Sequence, residues 1–263
     1  MKKKLFTGLI LTVISFSLFG AKVTQKQCNV KTDGSYIFAG GECIQYAVFK
    51  GDKKGFLNII VHGTWKEGTN ILARYAPFAQ TININTDITT LAVALPGYSK
   101  SSTNYFSALS HDKTKNLATD KKYIEFLGKL IEKLKEKYKA KIVTYIGHSA
   151  GAAMGATLSG MRPLLANNYV LAGGKYKSGK KGTVHISEYL DKLNKNTKYI
   201  LVYGTKDRIS KPKITLDFYK IAKKQGLNVE LVRVKGAKHL DLDMSDPSVE
   251  AITRMLDNYN SIM

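Results

Sequence analysis

Ile142-Val143-Thr144-Tyr145-Ile146-Gly147-His148-Ser149-Ala150-Gly151-Ala152-Ala153-Met154-Gly155-Ala156 changes character at its centre. Its first residues are β-branched or aromatic, the composition of a buried strand, and the run from Ala150 to Leu158 is a small-residue stretch that suits a helix. A strand that turns into a helix within Gly147-His148-Ser149-Ala150-Gly151 forces the central serine into a strained backbone conformation that exposes its hydroxyl. The flanking glycines avoid Cβ clashes with the strand and helix beside them. Ser149 is therefore a candidate nucleophile. As a bare pattern the same letters would serve as an ordinary small-residue turn, so the reading depends on what the rest of the chain supplies.

Upstream, Ser35 to Ala39 and Cys43 to Phe49 alternate polar with apolar residues around Gly40-Gly41, which predicts an antiparallel hairpin. Phe56 to Val61 reads as a buried strand ending at His62-Gly63-Thr64-Trp65, and Thr89 to Leu95 as another, closed by Pro96-Gly97-Tyr98. Between Ala118 and Tyr138, the residues Ile124, Leu127, Leu130, Ile131 and Leu134 recur at helical spacing with charges opposite. Downstream come an apolar segment at Tyr169 to Ala172 and strands at Tyr199 to Tyr203 and Val229 to Val234. Ile214, Phe218, Ile221 and Ala222 mark a helix between those strands, and Val249 to Tyr259 a terminal one.

Strands alternating with helices predict an α/β fold: a mostly parallel central sheet with helices on both faces and an N-terminal antiparallel hairpin. The 263 residues suffice for one core, and no repeat or linker interrupts the series. Residues 22–263 thus read as a single domain, with 173–198 set apart as a small cap insertion. Residues 1–21 read as a signal peptide: Lys2, Lys3 and Lys4, an apolar stretch from Leu5 to Phe19, then Gly20 and Ala21 at a cleavage site. The apolar stretch is short for a membrane span of about 20 residues, so no stable membrane anchor is expected, and the protein is placed in the periplasm or outside the cell. In that oxidising setting Cys28 and Cys43 are expected to pair.

A parallel sheet presents functional groups at the carboxyl ends of its strands. The Tyr199 to Tyr203 strand ends in Gly204-Thr205-Lys206-Asp207, and the Val229 to Val234 strand in Lys235-Gly236-Ala237-Lys238-His239. The chain order is Ser149, Asp207, His239. This order, with the elbow pentapeptide, resembles the α/β-hydrolase superfamily from about Tyr36 to the C-terminus. The resemblance implies Ser149 as nucleophile, His239 as the base that takes its proton, and Asp207 as the acid that orients the imidazole. It also implies an oxyanion hole from the backbone N–H of Ala150 and one from the loop after the Phe56 to Val61 strand. There Thr64 is the first candidate and Trp65 the second, in His62-Gly63-Thr64-Trp65, which lacks the fuller HGGG form.

His62 is read as shaping its loop, His111 and His185 as surface residues, and His148 as a residue that packs or lines the site. Trp65, Tyr98 and His148 are the candidate substrate contacts. Asp241 and Asp243 sit too close to His239 in sequence to orient it as well as Asp207 can. No H-x-x-x-H or CxxC pair points to a metal, and no glycine-rich nucleotide motif appears, so no cofactor and no metal are expected.

The formal charge is +21, and loss of Lys2, Lys3 and Lys4 would leave +18. Such a charge could favour an anionic surface or polymer, but no nucleic-acid motif accompanies it, and Lys175 to Lys181 reads as a solvated basic loop. The leading expectation is an exported serine hydrolase acting on a small-molecule carboxylic ester. The alternatives are an amidase or peptidase with the same triad, or a hydrolase-like scaffold that binds without turnover.

Overall fold

Residues 56–61 and 143–148 form the centre of the molecule because their side chains are buried on both faces of a sheet. In β3 (Lys53–Val61), Leu57, Ile59 and Val61 enter one core and Phe56 and Ile60 the other. The strand pairs in parallel with β4 (Ile88–Val93) on one side and β5 (Ile142–His148) on the other. The computed structural model describes residues 23–65, 69–97, 117–177, 182–240, 242–257 and 259. The expected signal peptide lies outside the described residues, as do Tyr98, His111 and Asp241.

The sheet has eight strands in the order β1-β2-β4-β3-β5-β6-β7-β8. The strands β1 (Ser35–Ala39) and β2 (Glu42–Phe49) form the expected hairpin, with Gly40 and Gly41 at positive φ in its turn. β2 runs antiparallel to β4, whereas β6 (Asn168–Ala172), β7 (Lys198–Gly204) and β8 (Asn228–Val234) extend the sheet in parallel. Cys28, in the short helix α1 (Gln25–Asn29), is bonded to Cys43 of β2, and such a link contributes about 3 kcal/mol.

One face of the sheet is covered by α3 (Lys121–Lys137), α4 (Ala150–Met161) and α5 (Pro212–Lys224), and the other by α2 (Ile71–Thr86) and α6 (Asp246–Asp257). The helix α3 starts at the Asp120 carboxylate, which accepts from Tyr123 N, and ends with Lys135 and Lys137, both matched to the helix dipole. Apart from Asn70, whose side chain caps its start, little in the sequence marks α2. It carries Pro77 internally and ends in a β-branched and Asn-rich run, yet Ile71, Tyr75, Phe78 and Ile82 line its buried side. Burial outweighs propensity there. Tyr75 and Phe78 are thereby core residues.

Residues 173–198 hold two short 3-10 turns, Ile186–Glu188 and Leu190–Lys192, and Ile186 and Leu193 are buried in the core beside α4. Val184 N donates to Thr119 O across this junction. Within the expected basic loop, Lys175 and Lys177 are exposed and Tyr176 is buried and stacked on Phe218, 4.4 Å between centroids; residues 178–181 lie outside the described residues. No helix among the described residues is long and apolar enough to cross a membrane.

Candidate functional site

Ser149 sits between β5 and α4 with φ 54° and ψ −112°, a conformation that costs a non-glycine residue about 1–3 kcal/mol. What holds it there is close packing on both sides. A Cβ on Gly151 would lie 2.2 Å from Val61 O, and one on Gly147 would lie 2.7 Å from the Gly151 backbone. Ser149 N donates to Ala172 O, Ala153 N donates to Ser149 O, and the Tyr145 hydroxyl donates to Gly151 O. The serine side chain is left at the start of the helix, clear of the strands.

The loops after β7 and β8 are tied to one another. Thr205 N donates to Val234 O, Lys206 N to Ala237 O, and Gly236 N to Thr205 Oγ1. That brace brings Asp207 beside His239: His239 Nδ1 lies 2.7 Å from Asp207 Oδ2, and His239 Nε2 lies 2.8 Å from Ser149 Oγ. The carboxylate is only an acceptor, so Nδ1 carries the proton and Nε2 presents its lone pair to the serine. Asp207 Oδ1 accepts from Ile209 N and Ser210 N, which fixes the carboxylate inside its own turn. Both side chains are nearly shielded from water, at 0% exposure for Asp207 and 8% for His239. In such surroundings a charge-assisted hydrogen bond is strong.

Two further histidines stand behind this row. His148 is buried, with Nε2 2.7 Å from His239 O and Nδ1 3.4 Å from the Tyr75 hydroxyl, and its ring leans on His239 at 5.0 Å. It therefore packs, and does not reach the cleft as a substrate contact. His62 accepts from Leu95 N at Nε2 and donates from Nδ1 to Gly63 O, which locks the ends of β3 and β4 together. Burial holds its pKa at about 4. The ring is neutral at ordinary pH and shapes its loop.

Ser149 and His239 open into a cleft of about 390 Å³ whose lining includes Thr64, Ala150, Lys175, Lys177, His185 and Leu240. Gly63 brings the loop after β3 against the serine, since a Cβ there would lie 2.8 Å from Ser149 Cβ. Thr64 and Ala150 thus border the cleft beside the serine, whereas Trp65 does not. Trp65 packs into the second core, with the Arg74 guanidinium 4.8 Å over its ring. A larger and more open hollow of about 720 Å³ lies at Glu132, Ala140 and Arg162, where no nucleophile meets a base. The smaller cleft, which holds Ser149 and His239 together, is the candidate site.

His185 is not the surface residue that its polar surroundings led one to expect. It is buried and lines the cleft, and burial lowers its pKa, partly offset by Glu188. Asp243 is buried within electrostatic reach of Tyr75, and His239 has Asp207 as its carboxylate partner. No group of three or more metal-ligating side chains occurs among the described residues.

No protein-family model and no curated protein matches the sequence. Solved structures do match the fold. An esterase of Pyrococcus furiosus superposes with TM-score 0.64 at 16% identity, covering 90% of this chain and 95% of its own. The Butyrivibrio proteoclasticus protein Est1E with ferulic acid bound gives 0.63 at 15%, covering 86% and 97%. A Xanthomonas campestris protein described as an α/β serine hydrolase without lid gives 0.58 at 14%, covering 87% and 94%.

Proposed function

We propose that this chain, which has the α/β-hydrolase fold, is an exported serine hydrolase that cleaves carboxylic esters through an acyl-serine intermediate. The observation that carries the reading is the unbroken row Asp207 Oδ2, His239 Nδ1, His239 Nε2 and Ser149 Oγ, with spacings of 2.7 and 2.8 Å, opening into the cleft. Ser149 Oγ attacks the ester carbonyl carbon as His239 Nε2 takes its proton, and Asp207 stabilises the imidazolium without being protonated. The carbonyl oxygen becomes an oxyanion held by the backbone N–H groups of Ala150 and Thr64, each worth about 3 kcal/mol in such sites. Collapse of that intermediate breaks the bond to the alcohol oxygen, which leaves with the proton from His239. Water, deprotonated by the same imidazole, then releases the acid and restores Ser149.

Esters fit this row better than amides because an alkoxide or phenoxide leaves with less help than an amine does. Export is supported by the Cys28–Cys43 bond, a feature of oxidising compartments. Purified protein is expected to hydrolyse short and medium 4-nitrophenyl esters, and Ser149→Ala to lower kcat by about 10⁴-fold or more. Undiminished hydrolysis by Ser149→Ala would defeat the assignment of the nucleophile.

A further inference from the structure

Among the described residues that line the cleft, every fully charged side chain is a cation. Lys175 and Lys177 are exposed and border it, and no carboxylate does. The backbone that carries them is fixed. Tyr176, between them, is stacked on Phe218 and donates to Leu171 O, and Ser210 Oγ donates to Gly174 O. Lysines mounted on such a segment hold their place better than lysines on a free loop.

Among the described residues, the other ionisable groups nearby do not cancel this charge. Asp207 is turned to His239 and to its own turn. Asp217 shares an adjoining hollow of about 140 Å³ with both lysines, but Lys213 Nζ donates to its two oxygens at 3.0 and 2.9 Å. Lys213 is also the first cause that holds the Asp217 carboxyl below its usual range, with Lys177 a lesser one. His185 is kept towards its neutral form by burial. The remaining feature of the mouth is apolar: Ile209 and Leu240 line it while 57% and 53% exposed. A cleft with cations at one part of its rim and bare aliphatic side chains at another is matched to a molecule with both an anion and an apolar body.

We propose that the substrate carries an anionic group, a carboxylate or a phosphate, besides its ester, and that Lys175 and Lys177 bind it. The inference rests on the hydrolase reading and deepens it to a substrate class. Its test is a pair of matched ratios of kcat/KM. Mono(4-methylumbelliferyl) adipate against 4-methylumbelliferyl hexanoate places the charge on the acyl side. 4-(Hexanoyloxy)benzoate against phenyl hexanoate places it on the leaving group.

At least one ratio is expected to fall about tenfold in the double variant Lys175→Gln, Lys177→Gln, the loss that goes with one charge-assisted contact. It should hold within about twofold in Lys223→Gln, Lys224→Gln, which removes the same charge from the exposed end of α5. Competition by adipate and by hexyl phosphate tells a carboxylate preference from a phosphate one. Ratios untouched by the first variant, or lowered equally by both, would overturn the proposal. Should no ester be turned over, the hydrolase reading fails alone, and calorimetric titration of Ser149→Ala decides the anion claim. Tighter binding of the anionic esters that is lost with Lys175 and Lys177 sustains it, and equal or absent binding ends it.

Discussion

The part of the cleft that carries Ser149, Asp207 and His239 is assembled from strand ends, whereas the part that carries Thr119, Lys175 and His185 is assembled from 3-10 and irregular segments. On the first, each functional atom is placed by backbone hydrogen bonds within the sheet or between neighbouring loops. On the second, position comes from single tertiary contacts, such as Val184 N to Thr119 O or the stacking of Tyr176 on Phe218. The difference separates two kinds of tolerance. Changes at the strand ends should abolish chemistry or folding, and changes on the irregular side should alter which molecules are bound.

The largest effect expected at the strand ends after loss of the serine itself is that of Asp207→Asn. It preserves shape but removes the charge and favours the wrong imidazole tautomer, so kcat should fall by about 10³–10⁴-fold. Steady-state kinetics with circular dichroism as a folding check measures this. A loss under tenfold would mean that another group orients His239.

Gly151→Ala tests the packing that holds the elbow. Its Cβ would lie 2.2 Å from Val61 O in the centre of the sheet, where neither backbone can yield freely. Unfolding free energy should drop by about 3 kcal/mol, the upper range for overpacking. A melting temperature unchanged from the parent would show that β3 and α4 are less tightly apposed than described.

His62 gives the same region a dependence on pH. Its native pKa of about 4 lies below the unfolded value of 6.5, so below pH 6.5 the unfolded chain binds a proton that the native one refuses. Stability linked to this ring is complete above pH 6.5 and is lost as pH falls through 4, by about 3 kcal/mol. Denaturant titrations at pH 7 and pH 4 should therefore differ more in the parent than in His62→Gln, and equal differences would rule the linkage out.

The smallest effect should come from the irregular side. His185→Ala leaves the serine, its base and its acid in place, so KM is expected to rise several-fold for favoured esters while kcat changes less than about threefold. If kcat fell as far as in Asp207→Asn, the contrast between the two parts of the cleft would be lost.

That contrast also explains what could be read from the chain. The turn at Ser149 was legible because Gly147 and Gly151 are the residues that such close approaches demand. The strand tips before Asp207 and His239 were legible because continuous apolar runs end there. The helix α2 was not, since Pro77 and the run Thr81-Ile82-Asn83-Ile84-Asn85-Thr86 hide a buried face that only the finished sheet rewards. His185 and Lys175 escaped for a related reason. Nothing periodic surrounds them, and their places depend on Thr119 and Phe218, which are distant in sequence. For His148, one motif position allowed two uses, and its hydrogen bond to His239 O settles on packing.

The central claim is that Ser149 is a nucleophile activated by its neighbours, and covalent labelling tests it most directly. Folded, disulfide-intact protein treated with a fluorophosphonate should gain one adduct, mapped by peptide mass spectrometry to Ser149. Ser149→Ala should gain none, and Asp207→Asn should react far more slowly. A folded sample that stays unlabelled, or one labelled at another residue, would contradict the account.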